Sequence, residues 1–115
     1  MTGGNASAGG LAALAAQHCQ AGATRLADAE LRARLASLAG WAQKATAIEK
    51  TFTFANYYET IAFVNAVAFI AHREDHHPDL DVHYNRCTVA YSTHSAGGVT
   101  LNDLICAARV ESLVP

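Results

Sequence analysis

The sequence has few cysteines, and their arrangement excludes two kinds of small protein. Cys19, Cys87 and Cys106 are the only cysteines among 115 residues, and they are widely spaced with no Cys-x-x-Cys pair. The sequence therefore predicts neither a disulfide framework nor a thiolate zinc site. We interpret this cysteine usage as typical of a protein of the reducing cytoplasm.

Charged residues and long apolar runs are also scarce. Only 16% of the residues are charged, the formal net charge is −2, and lysines and arginines form no run, so nucleic acid is not expected as a direct ligand. The apolar stretch at residues 11–16 is short and no positive charge precedes it, which predicts neither a secretory signal nor a membrane span. We expect a cytoplasmic protein without a membrane partner.

The length and composition predict one domain behind a short leader. The first ten residues are rich in Gly, Ala and Ser, and residues 11–23 have at most a weak helical pattern. We therefore expect a flexible or weakly helical leader over residues 1–23, without chemistry of its own. The whole chain is 51% apolar, and residues 24–115 are long enough to form a single domain that buries one core.

The pattern of apolar residues predicts three helices and two pairs of strands. A first helix is expected from Asp28, as N-cap, to a close at Gly40, and later helices open at the capping-box pairs Asn56 with Glu59 and Thr100 with Asp103. Alternating residues predict strands at 41–45, 47–54, 82–85 and 86–92. The predicted fold class is α+β, a four-stranded antiparallel sheet with three helices on one face, in the order helix, two strands, helix, two strands, helix.

The middle helix, predicted from Asn56 to about Glu74, is apolar on more than one side. Phe63, Val67 and Ile70 form a second apolar side, and a domain of this size offers only one sheet to cover the first. We expect the second side to be buried in a homodimer or homotetramer.

The most informative segment is a group of histidines at residues 72–78. His72, His76 and His77 stand between acids and Pro78, and His94 follows a predicted strand. Imidazole is the side chain whose ordinary pKa lets it give or take a proton near neutrality. Pro78 prevents the helix from continuing through His77, so the rings of His76 and His77 can flank one cleft, with His94 closing it from the sheet side. The cluster predicts acid/base catalysis.

These residues resemble the motif of the pterin-4a-carbinolamine dehydratase family, which includes a dimerisation cofactor of hepatocyte nuclear factor. The resemblance extends from about Leu26 to Leu113, and the chain differs at one motif position, where many members carry glutamate in place of His72. The matching positions are His72, His76, His77, Pro78, Tyr84, His94 and Asp103.

The resemblance implies dehydration of 4a-hydroxytetrahydrobiopterin to quinonoid dihydrobiopterin, which recycles the pterin cofactor of aromatic amino acid hydroxylases. It implies no cofactor and no metal of the protein's own, and a possible hydroxylase-pathway partner. Loss of the 4a-hydroxyl needs an acid at the oxygen and a base at the nitrogen N5. We expect His76 and His94 to be candidate donors and His77 to bind the pterin and accept the proton. The implied substrate contacts are Asp75, His76, His77, Ser92, Thr93, His94 and Ser95, with His72 and Asp103 in supporting roles.

Several alternatives stay open at this stage. His72, His76 and His94 could share a metal ion, although Arg73 stands where a metalloprotease helix needs glutamate. A non-enzymatic assembly or transcription-coactivator role on the same scaffold is the other alternative. For Asp103 a helix-capping role is favoured over chemistry. Tyr84 and Trp41 are expected in the core or a pocket wall, and His18 and His83 receive no role.

Overall fold

The fold alternates helices with pairs of strands. A computed structural model describes the backbone of residues 3–115 and the side chains of residues 10–115. The predicted α+β class with a four-stranded antiparallel sheet is confirmed, and within the described residues there is a fourth helix, α1, in the predicted leader. The elements are α1 (Gly3–Ala16), α2 (Asp28–Leu35), β1 (Ala42–Lys44), β2 (Ala47–Thr53), α3 (Tyr57–Glu74), β3 (Asp79–His83), β4 (Arg86–Tyr91) and α4 (Leu101–Glu111), with a 3-10 turn (His94–Ala96) before α4.

The sheet has the order β1-β2-β4-β3, and every neighbouring pair is antiparallel. The two central strands pair Ile48 with Tyr91 and Phe52 with Cys87, and these four side chains are buried on one face. On the other face the hydroxyls of Thr51 and Thr88 lie 2.7 Å apart. The alternation along each strand therefore gives the sheet one face for the core.

The helices α3 and α4 cover the buried face of the sheet. Phe63 and Val67 of α3 are 5% and 0% exposed, and Ile70 packs partly buried against the same core, so the prediction that these three residues face another subunit is wrong. The exposed side of α3 has Tyr58 and Phe69 instead, at 83% and 62%. Both capping predictions hold, since Asn56 accepts from the Glu59 N–H and Thr100 forms a full capping box with Asp103.

The first predicted helix is too long at its carboxyl end. α2 ends at Leu35, Asp28 lies in its first turn, and Ala27 occupies the N-cap without a side-chain hydrogen bond. Leu38 is nonetheless 1% exposed, because the turn after α2 places its side chain in the core. Gly40 has a φ of 87° in that turn, a conformation that suits glycine, but it does not end the helix. β3 likewise begins at Asp79 and ends at His83, earlier than predicted.

Lys50 interrupts the alternation of β2 for a structural reason. Its ammonium lies 2.6 Å from Glu111 Oε2 of α4, and the indole N–H of Trp41 donates to the same oxygen at 2.9 Å. Trp41 is thus a core residue, as expected, whereas the Tyr84 side chain is 64% exposed.

The predicted leader packs against the domain. α1 contacts α4, and Leu14 is 4% exposed. Met1 and Thr2 lie outside the described residues, and the division between leader and domain at residue 24 stays a prediction. None of the described helices has the length and apolar character needed to cross a membrane.

Candidate active site

The predicted end of α3 at about Glu74 is confirmed, but His76 already lies outside the helix, whereas the position of Pro78 predicts that the chain leaves it only at His77. The helix ends at Glu74, and Asp75 takes a left-handed conformation with φ 51° and ψ 44°. The His76 N–H then donates to the Ala71 carbonyl at 3.1 Å, which closes the end of the helix in the manner of a Schellman motif. His76 has therefore already left the helix, and the turn at Asp75 directs it towards α4.

His76 is held by a buried carboxylate. Its Nε2 lies 2.5 Å from Asp103 Oδ1, and the Asp103 side chain is fully buried. The other oxygen, Oδ2, accepts from the Thr93 hydroxyl at 2.8 Å and from the Thr100 N–H at 2.9 Å. Asp103 thus both caps α4 and orients the imidazole, which is more than the capping role favoured from the sequence.

These surroundings favour the protonated form of His76. The hydrogen bond to Asp103 raises its pKa; burial opposes this, and the charges of Asp103, Cys19 and Asp75 add to the increase. The ring also stacks on Tyr91, with 5.8 Å between centroids and 19° between planes. Because Nε2 faces Asp103, Nδ1 is the nitrogen of His76 that can reach a ligand. An imidazole held in this way is able to donate a proton from Nδ1 to a group in contact with it.

A polar cleft of about 310 Å³ opens beside His76. This volume is in the range of small-molecule sites. A larger cavity of about 530 Å³ lies between the leader, α2 and α4, but it contains none of the predicted site residues. The residues that line the cleft are Cys19, Gln20, Ala21, Gly22, Ala23, Glu74, Asp75, His76, Thr93, Ser95 and Asn102.

The structure brings together four of the predicted substrate contacts and separates the others from this cleft. Asp75, His76, Thr93 and Ser95 share it, whereas His77 and His94 are exposed and are not among its lining residues. The Ser92 hydroxyl donates to the Thr46 carbonyl at 2.6 Å. His72 is exposed on α3, and His83 lies 3.1 Å from Asp81.

Sequence reasoning missed the contribution of the leader. The Glu74 carboxylate is 3% exposed and accepts from the Cys19 N–H at 2.8 Å, while His18 Nδ1 lies 2.9 Å from its other oxygen. Burial alone would raise the pKa of Glu74, but these hydrogen bonds and the charge of Arg109 outweigh it and lower the pKa. Asn102 exchanges hydrogen bonds with the backbone of Gln20 at 2.9 and 2.8 Å. The only sequence signal for Glu74 as a contact of the leader was its position directly before Asp75, a predicted substrate contact.

The described residues contain no group of three or more His, Cys, Asp or Glu arranged to hold a metal ion. The histidines of the metal alternative are divided between the exposed surface of α3, the pairing with Asp103 and the 3-10 turn. The structure therefore does not bring these three histidines together at one position among the described residues.

Comparisons with known proteins point to one family. The family model for pterin 4 alpha carbinolamine dehydratase matches residues 24–113. A protein of Chromobacterium violaceum named "Putative pterin-4-alpha-carbinolamine dehydratase" is 55% identical over 94 residues, which cover 82% of this chain and 87% of that protein. A protein of Paracidovorax citrulli with the same name is 58% identical over 93 residues, covering 77% and 80%. The crystal structure of a transcriptional coactivator/pterin dehydratase from Brucella melitensis matches with a TM-score of 0.77 and 32% identity, over 80% of this chain and 100% of that one.

Proposed function

The chain belongs to the pterin 4 alpha carbinolamine dehydratase family, and from this premise we propose that it dehydrates 4a-hydroxytetrahydrobiopterin to quinonoid dihydrobiopterin. The reaction would recycle the pterin cofactor of aromatic amino acid hydroxylases. The observation that carries the proposal is the pairing of His76 with buried Asp103 at the edge of a polar cleft.

In the proposed mechanism His76 protonates the leaving hydroxyl. The raised pKa favours the protonated form of the ring, and Nδ1 delivers its proton to the oxygen on C4a. As the C4a–O bond breaks, water leaves and the N5 proton passes to a base. We assign this base to His77, which also binds the pterin, and we keep His94 as a second candidate donor.

Binding of the pterin is assigned to the cleft and its margin. The Asp75 carboxylate is suited to accept from the amino-pyrimidine edge, and Ser92, Thr93 and Ser95 contribute polar groups along the same edge. His72 remains a supporting residue in the proposal. No step calls for a metal ion or another cofactor, because the reaction only moves protons and expels water.

Assembly and location are part of the same proposal. We propose a homodimer or homotetramer, which would cover Tyr58 and Phe69 on the exposed side of α3. We also propose a cytoplasmic location, since Cys19, Cys87 and Cys106 are all free thiols.

Stopped-flow kinetics tests the activity. The purified protein should accelerate dehydration of 4a-hydroxytetrahydrobiopterin without added metal or nucleotide, at a pH where the spontaneous reaction is slow. His76→Ala should lower turnover by roughly 10²-fold or more, because a positioned acid is worth roughly that much.

The matched control is His83→Ala, which removes an imidazole outside the cleft and should leave turnover unchanged. If traces with and without the protein coincide, the catalytic proposal is wrong, and a non-enzymatic role on this scaffold is favoured. The description of the Brucella melitensis protein, which names a coactivator beside a dehydratase, makes that the relevant second candidate.

A further inference from the structure

Two cysteines that are distant in sequence meet at the wall of the cleft. Cys19 Sγ lies 3.5 Å from Cys106 Sγ, although the residues are 87 positions apart. Cys106 is fully buried in α4, whereas Cys19 is half-buried in the leader and lines the cleft with His76. A disulfide would need the two sulfurs to approach by only about 1.5 Å.

We propose that Cys19 and Cys106 form a reversible dithiol/disulfide site, oxidised by small-molecule disulfides, whose oxidised form fixes residues 17–23 across the cleft. We call these residues the leader strap. Nothing about the oxidation itself depends on the proposed dehydration, whereas its effect on turnover rests on that proposed function.

The environment gives the two thiols different parts in the reaction. The hydrogen bond from Cys106 lowers the pKa of Cys19, against burial and the charge of Glu74, and the charge of His76 adds to the decrease. The pKa of Cys106 is raised, first by the hydrogen bond to Cys19 and then by burial. Cys19 is therefore the attacking thiolate, since thiolates are the nucleophiles in disulfide exchange.

The exchange balances in two steps. The Cys19 thiolate attacks one sulfur of the small disulfide, whose S–S bond breaks and releases one thiolate that takes up a proton. Cys106 then loses its proton and attacks the Cys19 sulfur, forming the Cys19–Cys106 bond and releasing the second small thiol. The protein thiols give up two electrons, and the external disulfide is reduced.

The strap is already in position for this bond. The Asn102 side chain accepts a hydrogen bond from the Gln20 N–H, and the Glu74 carboxylate accepts one from the Cys19 N–H. The Arg109 guanidinium donates to the Gln17 carbonyl at 3.2 Å. In the reduced protein these non-covalent contacts can open and let the strap leave the cleft. The covalent bond would prevent that opening, and it would close a long loop between α1 and α4.

Mass spectrometry of the full chain tests the site. The protein is incubated under native conditions with oxidised glutathione, alkylated, and analysed intact and after digestion. We expect a loss of two hydrogens, a Cys19–Cys106 cross-link and one remaining alkylated thiol. Cys106→Ala should instead retain glutathione on Cys19, because the resolving thiol is absent.

Cys87→Ser is the matched control. Cys87 lies on β4 opposite Phe52 and its thiol makes no hydrogen bond to the other two cysteines, so this variant should form the cross-link like the unmodified protein. Cys19→Ser, at a half-buried position, should abolish the cross-link without a change in the core. Glutathione adducts without a cross-link in the unmodified protein, or a cross-link to Cys87, would overturn the proposal.

A second measurement tests the consequence for the cleft. In the oxidised protein, amide hydrogen exchange of residues 17–23 should slow, and dithiothreitol should restore the original rate. The kcat/KM for the pterin should fall on oxidation and recover on reduction, and oxidant should cause neither change in Cys19→Ser, which lacks the attacking thiol. Unchanged hydrogen exchange in the cross-linked protein would overturn the claim that the bond holds the strap on the cleft, whatever the activity of the enzyme.

Discussion

At the scale of single residues, the site depends on the two oxygens of one carboxylate. Asp103 Oδ2 accepts hydrogen bonds from the Thr93 hydroxyl and the Thr100 N–H, which hold the carboxylate at the start of α4. The other oxygen, Oδ1, is then free to contact His76. A buried carboxylate is costly unless it is paired and hydrogen-bonded, and here both oxygens have partners. The capping box therefore serves the site, because it fixes the carboxylate that orients the imidazole.

Asp103→Asn should lower the pKa of His76 and weaken the fold. Because the folded-state pKa of His76 is raised, its pairing stabilises the protein below the ordinary histidine pKa of about 6.5, and this stabilisation is lost as the pH rises through the raised value. The variant should lose that pH dependence and about 1–3 kcal/mol of unfolding free energy at low pH. Histidine NMR titration and urea unfolding across pH would measure both.

Asp81→Asn provides the matched control for this substitution. It removes the partner of His83, a pair whose side chains are 44% and 73% exposed, so neither stability nor the His76 titration should change. An unchanged His76 titration in Asp103→Asn would contradict the role given to Asp103.

The residues of the site were only partly predictable. His76 and the Asp103 cap follow from local patterns, but the two residues are 27 positions apart, and no local pattern shows which carboxylate oxygen is free to contact the ring. The end of α3 at about Glu74 is predictable, but Pro78 predicts that His76 still belongs to the helix, because proline restricts only the residue before it. The departure of His76 from the helix depends on left-handed Asp75, a conformation that aspartate tolerates but that leaves no distinct sequence signal.

At the scale of elements, the position of His76 depends on where α3 begins as well as where it ends. The helix is anchored at Asn56, whose side chain accepts from the Glu59 N–H at 2.9 Å, and the Glu59 carboxylate accepts in return from the Ala55 N–H at 3.1 Å. Thr60, one turn into the helix, donates to the Tyr84 carbonyl and ties α3 to the β3–β4 turn. The start of α3 is thus held both by its own capping residues and by a hydrogen bond to the β3–β4 turn.

Asn56→Ala should destabilise the protein by about 1 kcal/mol, because it removes the side chain that caps α3. Arg32→Ala is the control, since Arg32 is exposed in the middle of α2, away from the proposed contact between subunits, and alanine favours helix there. Chemical denaturation of both variants would measure the difference. Equal stabilities for the two variants would show that the cap contributes nothing.

Local signals predicted the starts of α3 and α4 better than their faces or the end of α2. Capping residues act over three or four positions and can be identified in the sequence. The helical spacing of Leu35 and Leu38 predicted a helix that extends past the real end of α2 at Leu35. Leu38 is buried although it lies in the following turn, so its apolar character did not distinguish turn from helix. For α3, apolar residues on several sides led to the wrong prediction that Val67 faces a second subunit, whereas Val67 is buried and Phe69 is exposed.

At the scale of the whole molecule, the leader is the part that sequence patterns described least. Its Gly- and Ala-rich composition predicted little structure, yet residues 14–20 contact α3 and α4 through Leu14, Cys19 and Gln20. These contacts join residues that are 55 or more positions apart, and no periodicity encodes such pairings. The family model begins at residue 24, so this wall of the cleft lies outside the matched region.

Oligomer formation, which we propose for the whole molecule, should depend on the exposed side of α3. Tyr58, Ala62, Asn65 and Phe69 follow one another at helical spacing on that side, and all four are exposed. Phe69→Glu should lower the assembly state measured by light scattering at micromolar concentration, because it places a charge in the apolar contact. It should leave the chain folded, since the Phe69 side chain is 62% exposed.

Two comparison variants separate assembly from folding. Ala33→Glu adds the same charge on the exposed surface of α2 and should leave the assembly state unchanged. Val67→Glu should unfold the protein, because Val67 is 0% exposed and a glutamate there would be buried without a partner. A monomer for the unmodified protein would contradict the proposed oligomer, and an oligomer that survives Phe69→Glu would contradict this choice of surface. The contrast between Phe69 and Val67, two positions on one helix, thus tests which side of α3 serves the core and which serves a second copy of the chain.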